Sequence, residues 1–205
     1  MEVYQRPYDP LHPTVCMDEL SKQLVSEVTQ PLPLEAGQPA RYDYEYVRNG
    51  TSNLFMFFEP LAGQRFVEVT DHRTKIDWAC AVRDLVDLYY PDAKILTLVM
   101  DNLNTHSLGS LYEAFAPTEA KRIADRLDIH HTPKHGSWLN MAEIELGVLS
   151  GQCLDRRIPD PSTLKRCVAL WQSNRNQAQV TVDWRFTTAD ARIKLKRLYP
   201  SIHES

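Results

Sequence analysis

Residues 94–102 read KILTLVMDN. From Ile95 to Met100 only Thr97 interrupts the apolar run. That is the pattern of a strand buried on both faces, as in parallel sheets covered by helices. The run stops at Asp101-Asn102. Ligand sites in open α/β sheets lie outside the carboxyl ends of strands. An acid on the end of an otherwise apolar strand is also held rigidly. Asp101 is therefore the first candidate for chemistry.

Upstream, residues 73–90 have helical spacing, with Ile76, Ala79, Cys80, Val82, Val86 and Tyr90 as the apolar stripe and Pro91 as the stop. Before them, RYDYEYVR, TSNLFMFFEP and RFVEVTD read as three antiparallel strands in a meander. Asn49-Gly50 joins the first two as a hairpin turn. Pro31, Pro33, Gly37 and Pro39 make residues 31–40 a loop. TVCMD, residues 14–18, is a short first strand ending in Asp18. Downstream come a helical stretch to about Leu127, a short strand DIHHTP, and helices from about Trp138 with a break at Pro159-Asp160-Pro161. This order predicts an α/β protein with a mixed five-stranded sheet flanked by helices, the order of a ribonuclease-H-like fold. One domain spanning residues 1–205, helical from about residue 160, is expected.

Asp18 and Asp101 emerge at one edge if their strands are parallel neighbours. A third acid comes from the helix that starts near Leu139. At 100° per residue, Asn140, Glu143, Gly147, Ser150 and Gly151 share a small, polar face, and Glu145 points about 200° away from Glu143. Glu143 is therefore preferred to Glu145. Three hard oxygen donors suit magnesium, which leaves positions for water and a substrate phosphate. Two such ions can serve in-line attack on a phosphodiester.

Composition sets outer bounds. Hydrophobic residues make up 43% and charged residues 24%, which suits a globular chain. No stretch reaches the roughly 20 apolar residues of a membrane span, and MEVYQRPYDP lacks the pattern of a signal peptide. Cys16, Cys80, Cys153 and Cys167 form no CxxC pair, so reduced thiols in a cytoplasmic protein are the simplest reading. The net charge of -4 is unevenly spread. Residues 151–205 hold 10 Lys+Arg against 5 Asp+Glu, and the rest hold 13 against 22. An acidic body with a basic C-terminal part fits a metal site beside a phosphate-contacting surface, or simply a solvated basic helix.

VMDNLNTH (99–106) and TPKHGSWLNMAEIELGVLS (132–150) resemble the second and third acidic motifs of the mariner superfamily, most closely its bacterial insertion-sequence-630 branch. RPYDPLHPTVCMDE resembles the first motif, and VDWRFTTADARIKLKRLYP the branch's C-terminal pattern. The resemblance implies a DDE transposase with Asp18, Asp101 and Glu143 as catalytic metal ligands. It implies magnesium or manganese, two ions when DNA is bound. DNA partners would be the element ends and a target, commonly a TA dinucleotide. An oligomer on DNA and a location in the bacterial cytoplasm, at the nucleoid, follow. Relatives carry helix-turn-helix modules ahead of the catalytic domain; here that region is expected to be absent or to reside on a separate chain. Glu145 stands where relatives usually carry an aromatic residue.

Among other residues, Asn102 and His106 can position phosphate or water, or make ordinary loop hydrogen bonds. Lys134 and His135 lie in the matching loop, and Asn140 precedes Glu143 by one turn. Arg192, Lys194, Lys196 and Arg197 offer phosphate contacts or a solvated face. Trp138 is expected to pack beneath the site. His130, His131 and His135 have no recognised zinc spacing. Two alternatives stay open: a catalytically idle remnant or partner subunit that binds DNA or protein, and a structure-specific nuclease.

Overall fold

The computed structural model describes residues 2–194, apart from 30, 31, 33–35, 38–42, 104, 105, 134, 135 and 183. Three strands, β1 (Thr14–Glu27), β2 (Tyr46–Glu59) and β3 (Gln64–Thr70), pair antiparallel. Two more, β4 (Leu96–Met100) and β5 (Leu127–His131), extend the sheet in parallel from the other side of β1. The sheet order is β3-β2-β1-β4-β5, the mixed five-stranded sheet that was expected, with residues 46–59, read as parts of two strands, forming the single strand β2.

Alternation along the strands divides the core into two layers. Val15, Met17, Phe55, Phe57, Leu98 and Met100 face α1 (Lys75–Asp84), α2 (Leu108–Ala114) and α3 (Pro117–Ala124). Cys16, Leu54, Met56, Phe58 and Val99 face α4 (Met141–Leu149) and α5 (Pro161–Gln177). A short α6 (Thr188–Lys194) follows. Every residue of β4 is buried, at about 1.5–3 kcal/mol for each large apolar side chain. α5 starts where the Pro-Asp-Pro break places it: Asp160 caps the Thr163 N–H, and Pro161 takes the first turn, where no N–H is needed.

Three sequence expectations need correction. β1 does not end at Asp18 but runs nine residues further, to Glu27, paired with β2 throughout. Asn49-Gly50 does not turn a hairpin; both lie inside β2. The register passes from Gln23↔Thr51 to Val25↔Arg48, so two residues oppose Leu24 alone in a β-bulge. Gly50 takes φ +91°, the left-handed backbone that a hairpin turn would equally have required. The helix predicted over 73–90 is α1 plus a wider π-helical turn, Leu85–Tyr89. The stripe also differs from the expected one within α1: Trp78 is fully buried and Ile76 is exposed. No helix among the described residues is long and apolar enough to cross a membrane.

Candidate functional site

The parallel pairing of β1 with β4 ends at Cys16↔Val99. Two residues further in that register, Asp18 is level with Asp101. Within β1, alternation puts Asp18 on the face of Cys16, which packs with α4. Asp101 is the first residue past β4. Burial pushes the Asp18 carboxyl up to about 6 against the opposing hydrogen bond from the Glu19 backbone N–H, and the negative charges of Glu19, Asp101 and Glu143 add to the rise. Acids far apart in the chain thus influence one another, although Asp18 and Glu143 are not in the described group whose ligand atoms lie within 4.8 Å of one another.

Asn140 brings α4 to this edge. Its side-chain amide donates to the Met17 carbonyl at 2.7 Å, beside Asp18, and its carbonyl accepts the Ala142 N–H at 3.1 Å. One side chain therefore caps the helix and clips it to β1. The Tyr4 hydroxyl donates to the Leu139 carbonyl at 2.9 Å, securing the turn just before. One turn into α4, Glu143 is exposed. Gly147 and Gly151 continue its face, and no atom would meet a Cβ at either position.

Glu145, two residues on, is 1% exposed. Its carboxylate accepts from Arg65 Nε at 2.5 Å and Arg175 Nε at 2.6 Å. The Arg65 guanidinium also donates to the carbonyls of Gly63 and Val180 and lies 4.6 Å over Phe58. Glu145 is thus a structural anchor for the side of α4 turned away from the acids. The sequence reading missed Arg65, an arginine near the start of β3 between Gln64 and Phe66.

His106 follows a short loop after Asp101 and is 2% exposed. Its Nδ1 lies 2.8 Å from Asp101 Oδ1. Its Nε2 lies 3.1 Å from Glu19 Oε2, an ion pair bent away from good hydrogen-bond alignment. The ring stacks on Trp78 at 5.9 Å. Burial alone would lower the imidazole's pKa, but the two carboxylates outweigh it and raise it to about 9. His106 is therefore an imidazolium at neutral pH, and its hydrogen bond holds the Asp101 carboxyl below its usual range. Among the described residues, Glu19, Asp101 and His106 place ligand atoms within 4.8 Å of one another. Because both ring nitrogens face carboxylates, this trio reads as a charge bridge rather than a ligand set. The MDE motif had flagged Asp18 alone; alternation puts Glu19 on the opposite face, where nothing in the local sequence announces a partner.

The remaining candidates scatter. Asn102 is exposed beside Asp101. Lys134, His135, Lys196 and Arg197 lie outside the described residues. Arg192 is exposed on α6, and Lys194 of the same helix rests 4.4 Å over the Trp138 ring. Trp138 packs edge-on against Phe186. His130 bonds Asp128 at 2.9 Å, and His131 lies 3.1 Å from the Asp101 carbonyl.

The donor set suits a hard dication. Asp18, Asp101 and Glu143 offer only carboxylate oxygens. Asp18 is partly buried among like charges, with its carboxyl raised to about 6. A bound cation would relieve that repulsion.

The profile of a family described as "DDE superfamily endonuclease" matches residues 13–165. Among solved structures, the chain is similar to the Mos1 transposase paired-end complex with left transposon end, at 14% identity and TM-score 0.56, covering 83% of this chain and 52% of that one. It is similar to the Mos1 mariner paired end complex with Mn at 15% identity and TM-score 0.55, covering 83% and 52%. For the Mos1 strand transfer complex the values are 13% and 0.57, covering 83% and 51%. At these identities the likeness is one of fold, and the chain spans about half the length of those transposase chains. No curated protein matches the chain.

Proposed function

The chain belongs to the DDE superfamily endonuclease family, and on that premise we propose that it is the catalytic core of a transposase that cuts and rejoins DNA as an insertion sequence moves. The observation that supports this reading is that Asp18 is level with Asp101 where β1 and β4 part, with α4, which carries Glu143, clipped to β1 beside Asp18 by Asn140. The motif resemblance supports the insertion-sequence-630 branch of the mariner superfamily.

Asp18, Asp101 and Glu143 would hold magnesium or manganese, two ions with DNA bound, which activate the attacking oxygen and stabilise the leaving one. Asn140 keeps Glu143 within reach of β1. The open surface at Gly147 and Gly151 admits a DNA backbone. Asn102, Lys134, His135, Arg192 and Lys196 are assigned to phosphate contact or support of the site. Recognition of inverted repeats is assigned to a helix-turn-helix module outside residues 1–205, on paired DNA ends that bring subunits together. The target, in the TA-dinucleotide class, lies in the bacterial nucleoid.

The test uses the purified protein with a nicked or hairpin duplex and Mn2+ or Mg2+. Asp18→Asn, Asp101→Asn and Glu143→Gln are each expected to lower cleavage about a hundredfold to a thousandfold, from several kcal/mol of lost transition-state stabilisation. Their folds should remain intact by circular dichroism. Wild-type cleavage by any of the three would remove it from the catalytic set. Metal-dependent products that are hydrolysed but never joined would favour a nuclease.

A further inference from the structure

Four charged side chains alternate in sign beneath the edge of the sheet. Arg73 Nη1 lies 4.0 Å from Glu19 Oε1, Glu19 Oε2 lies 3.1 Å from His106 Nε2, and His106 Nδ1 lies 2.8 Å from Asp101 Oδ1. The row runs from a solvent-facing guanidinium to the proposed metal-binding acid. Its middle members are enclosed: the side chains of Glu19 and His106 are 6% and 1% exposed. Glu19 sits next to Asp18 in β1, and neighbours in a strand point to opposite faces. One strand therefore sends one acid to the α4 face and the next to the face covered by α1.

We propose that Glu19 is a positioning residue for metal binding, acting through His106 to fix the Asp101 carboxylate. The inference rests on the reading of Asp101 as a metal ligand. Asp101 lies past the end of β4, and its carboxylate is held by the Leu103 backbone N–H and by His106. His106 engages Oδ1 at 2.8 Å and leaves Oδ2 as the oxygen for a metal ion. An imidazole bonded on one side only could still swing about its Cβ–Cγ bond. Glu19 on the far nitrogen and Trp78 stacked 5.9 Å away remove that freedom. A purely structural ion pair is a poor account of this arrangement. Burying charge roughly breaks even against apolar packing, yet here it sits in a layer otherwise built from Met17, Trp78 and Met100. Outer partners that orient a metal-binding side chain have a known weight: their loss weakens affinity about tenfold to a hundredfold.

The experiment measures Mn2+ binding to the metal-free full chain by electron paramagnetic resonance of the free ion, without DNA. Glu19→Gln keeps the side chain's size and is expected to weaken Mn2+ binding about tenfold to a hundredfold. Tyr90→Phe removes the hydrogen bond to Glu59 elsewhere in the sheet and should leave affinity unchanged, so a general loss of rigidity is distinguishable. Asp101→Asn should lose the site. Wild-type affinity in Glu19→Gln, or an equal loss in Tyr90→Phe, overturns the positioning role. Wild-type affinity in Asp101→Asn overturns instead the reading on which it rests. If Glu19→Gln does not fold, a crystal structure of the wild type with Mn2+ decides. The ion should be bound to Asp101 with His106 still on Oδ1 and Glu19 outside the coordination shell; Glu19 or His106 bound directly to Mn2+ overturns the proposal.

Discussion

Glu143 and Glu145 lie two residues apart on one helix and live in opposite electrostatic worlds. Glu145 is buried with two guanidinium groups on a single carboxylate, so positive charge is in excess. Glu143 is exposed and adds to the negative charge at Asp18, and His106, the cation on Asp101, is already engaged by Asp101 and Glu19. The first arrangement is internally satisfied and needs nothing from outside. Among the described residues the second has the smaller share of positive charge. Charge balance, rather than residue type, separates the structural acid from the candidate chemical one.

The largest expected effect on stability tests the satisfied side. Glu145→Gln would leave Arg65, fully buried, and Arg175 without their counter-charge. Breaking a buried pair in this way costs about 3–5 kcal/mol. Urea unfolding should show a much lower midpoint. The fraction still folded should keep its metal affinity, because Glu145 points away from the acids. A variant as stable as wild type would dissolve the contrast between the two glutamates.

Much of this was readable in the chain before any coordinates. KILTLVMDN announced a doubly covered strand with an acid at its tip, and Pro91 and Pro161 bounded helices by simple stereochemistry. The helical repeat also separated Glu143 from Glu145, which do occupy different environments. What stayed hidden depends on long-range pairing. β1 continues through LSKQLVSE, where Lys22 and Ser26 interrupt the face of Leu20 and Leu24 and Val25 sits among Ser21, Gln23 and Glu27, so no clean alternation marked it as a strand. Asn-Gly serves a bulge as well as a turn, and only the partner strand decides between them. Arg65 meets Glu145 across 80 residues of sequence, and Glu19 meets His106 from another element. Neither pairing leaves a local signature.

The next effect concerns sign. The Asp18 carboxyl in the fold is raised from 3.8 to about 6, by burial first and then by its acidic neighbours. Its contribution to stability is therefore complete below about pH 3.8 and is lost as pH rises through about 6. In divalent-free buffer above that window, Asp18→Asn should be more stable than wild type by on the order of 2 kcal/mol. At pH 4 the advantage should nearly vanish, and Mg2+ should favour wild type at neutral pH. Exchanging carboxylate for amide would then stabilise one centre and destabilise the other. Thermal midpoints at pH 4 and pH 7 measure this, and a less stable Asp18→Asn at pH 7 without metal would contradict it.

Asn140→Ala attacks the joint between the two sides of α4. It removes the cap on Ala142 and leaves the Met17 carbonyl without its donor. A loss of about 1–2 kcal/mol is expected. Displacing Glu143 by about 1 Å would cost cleavage up to roughly a hundredfold. Thermal melts and single-turnover cleavage read the two separately. Loss of stability with full cleavage would reduce Asn140 to a helix cap.

The smallest effect probes the open face itself. No atom lies within 4 Å of a Cβ built on Gly147, and glycine inside a helix is about 0.5–1 kcal/mol worse than alanine. Gly147→Ala should therefore raise the thermal midpoint by a few degrees at most. No contact among the described residues calls for glycine there. If a DNA backbone approaches at this position, the added methyl group weakens DNA binding while Mn2+ affinity stays at the wild-type value. A stabilised variant that binds and cleaves DNA normally would show that the strand takes another path past Glu143.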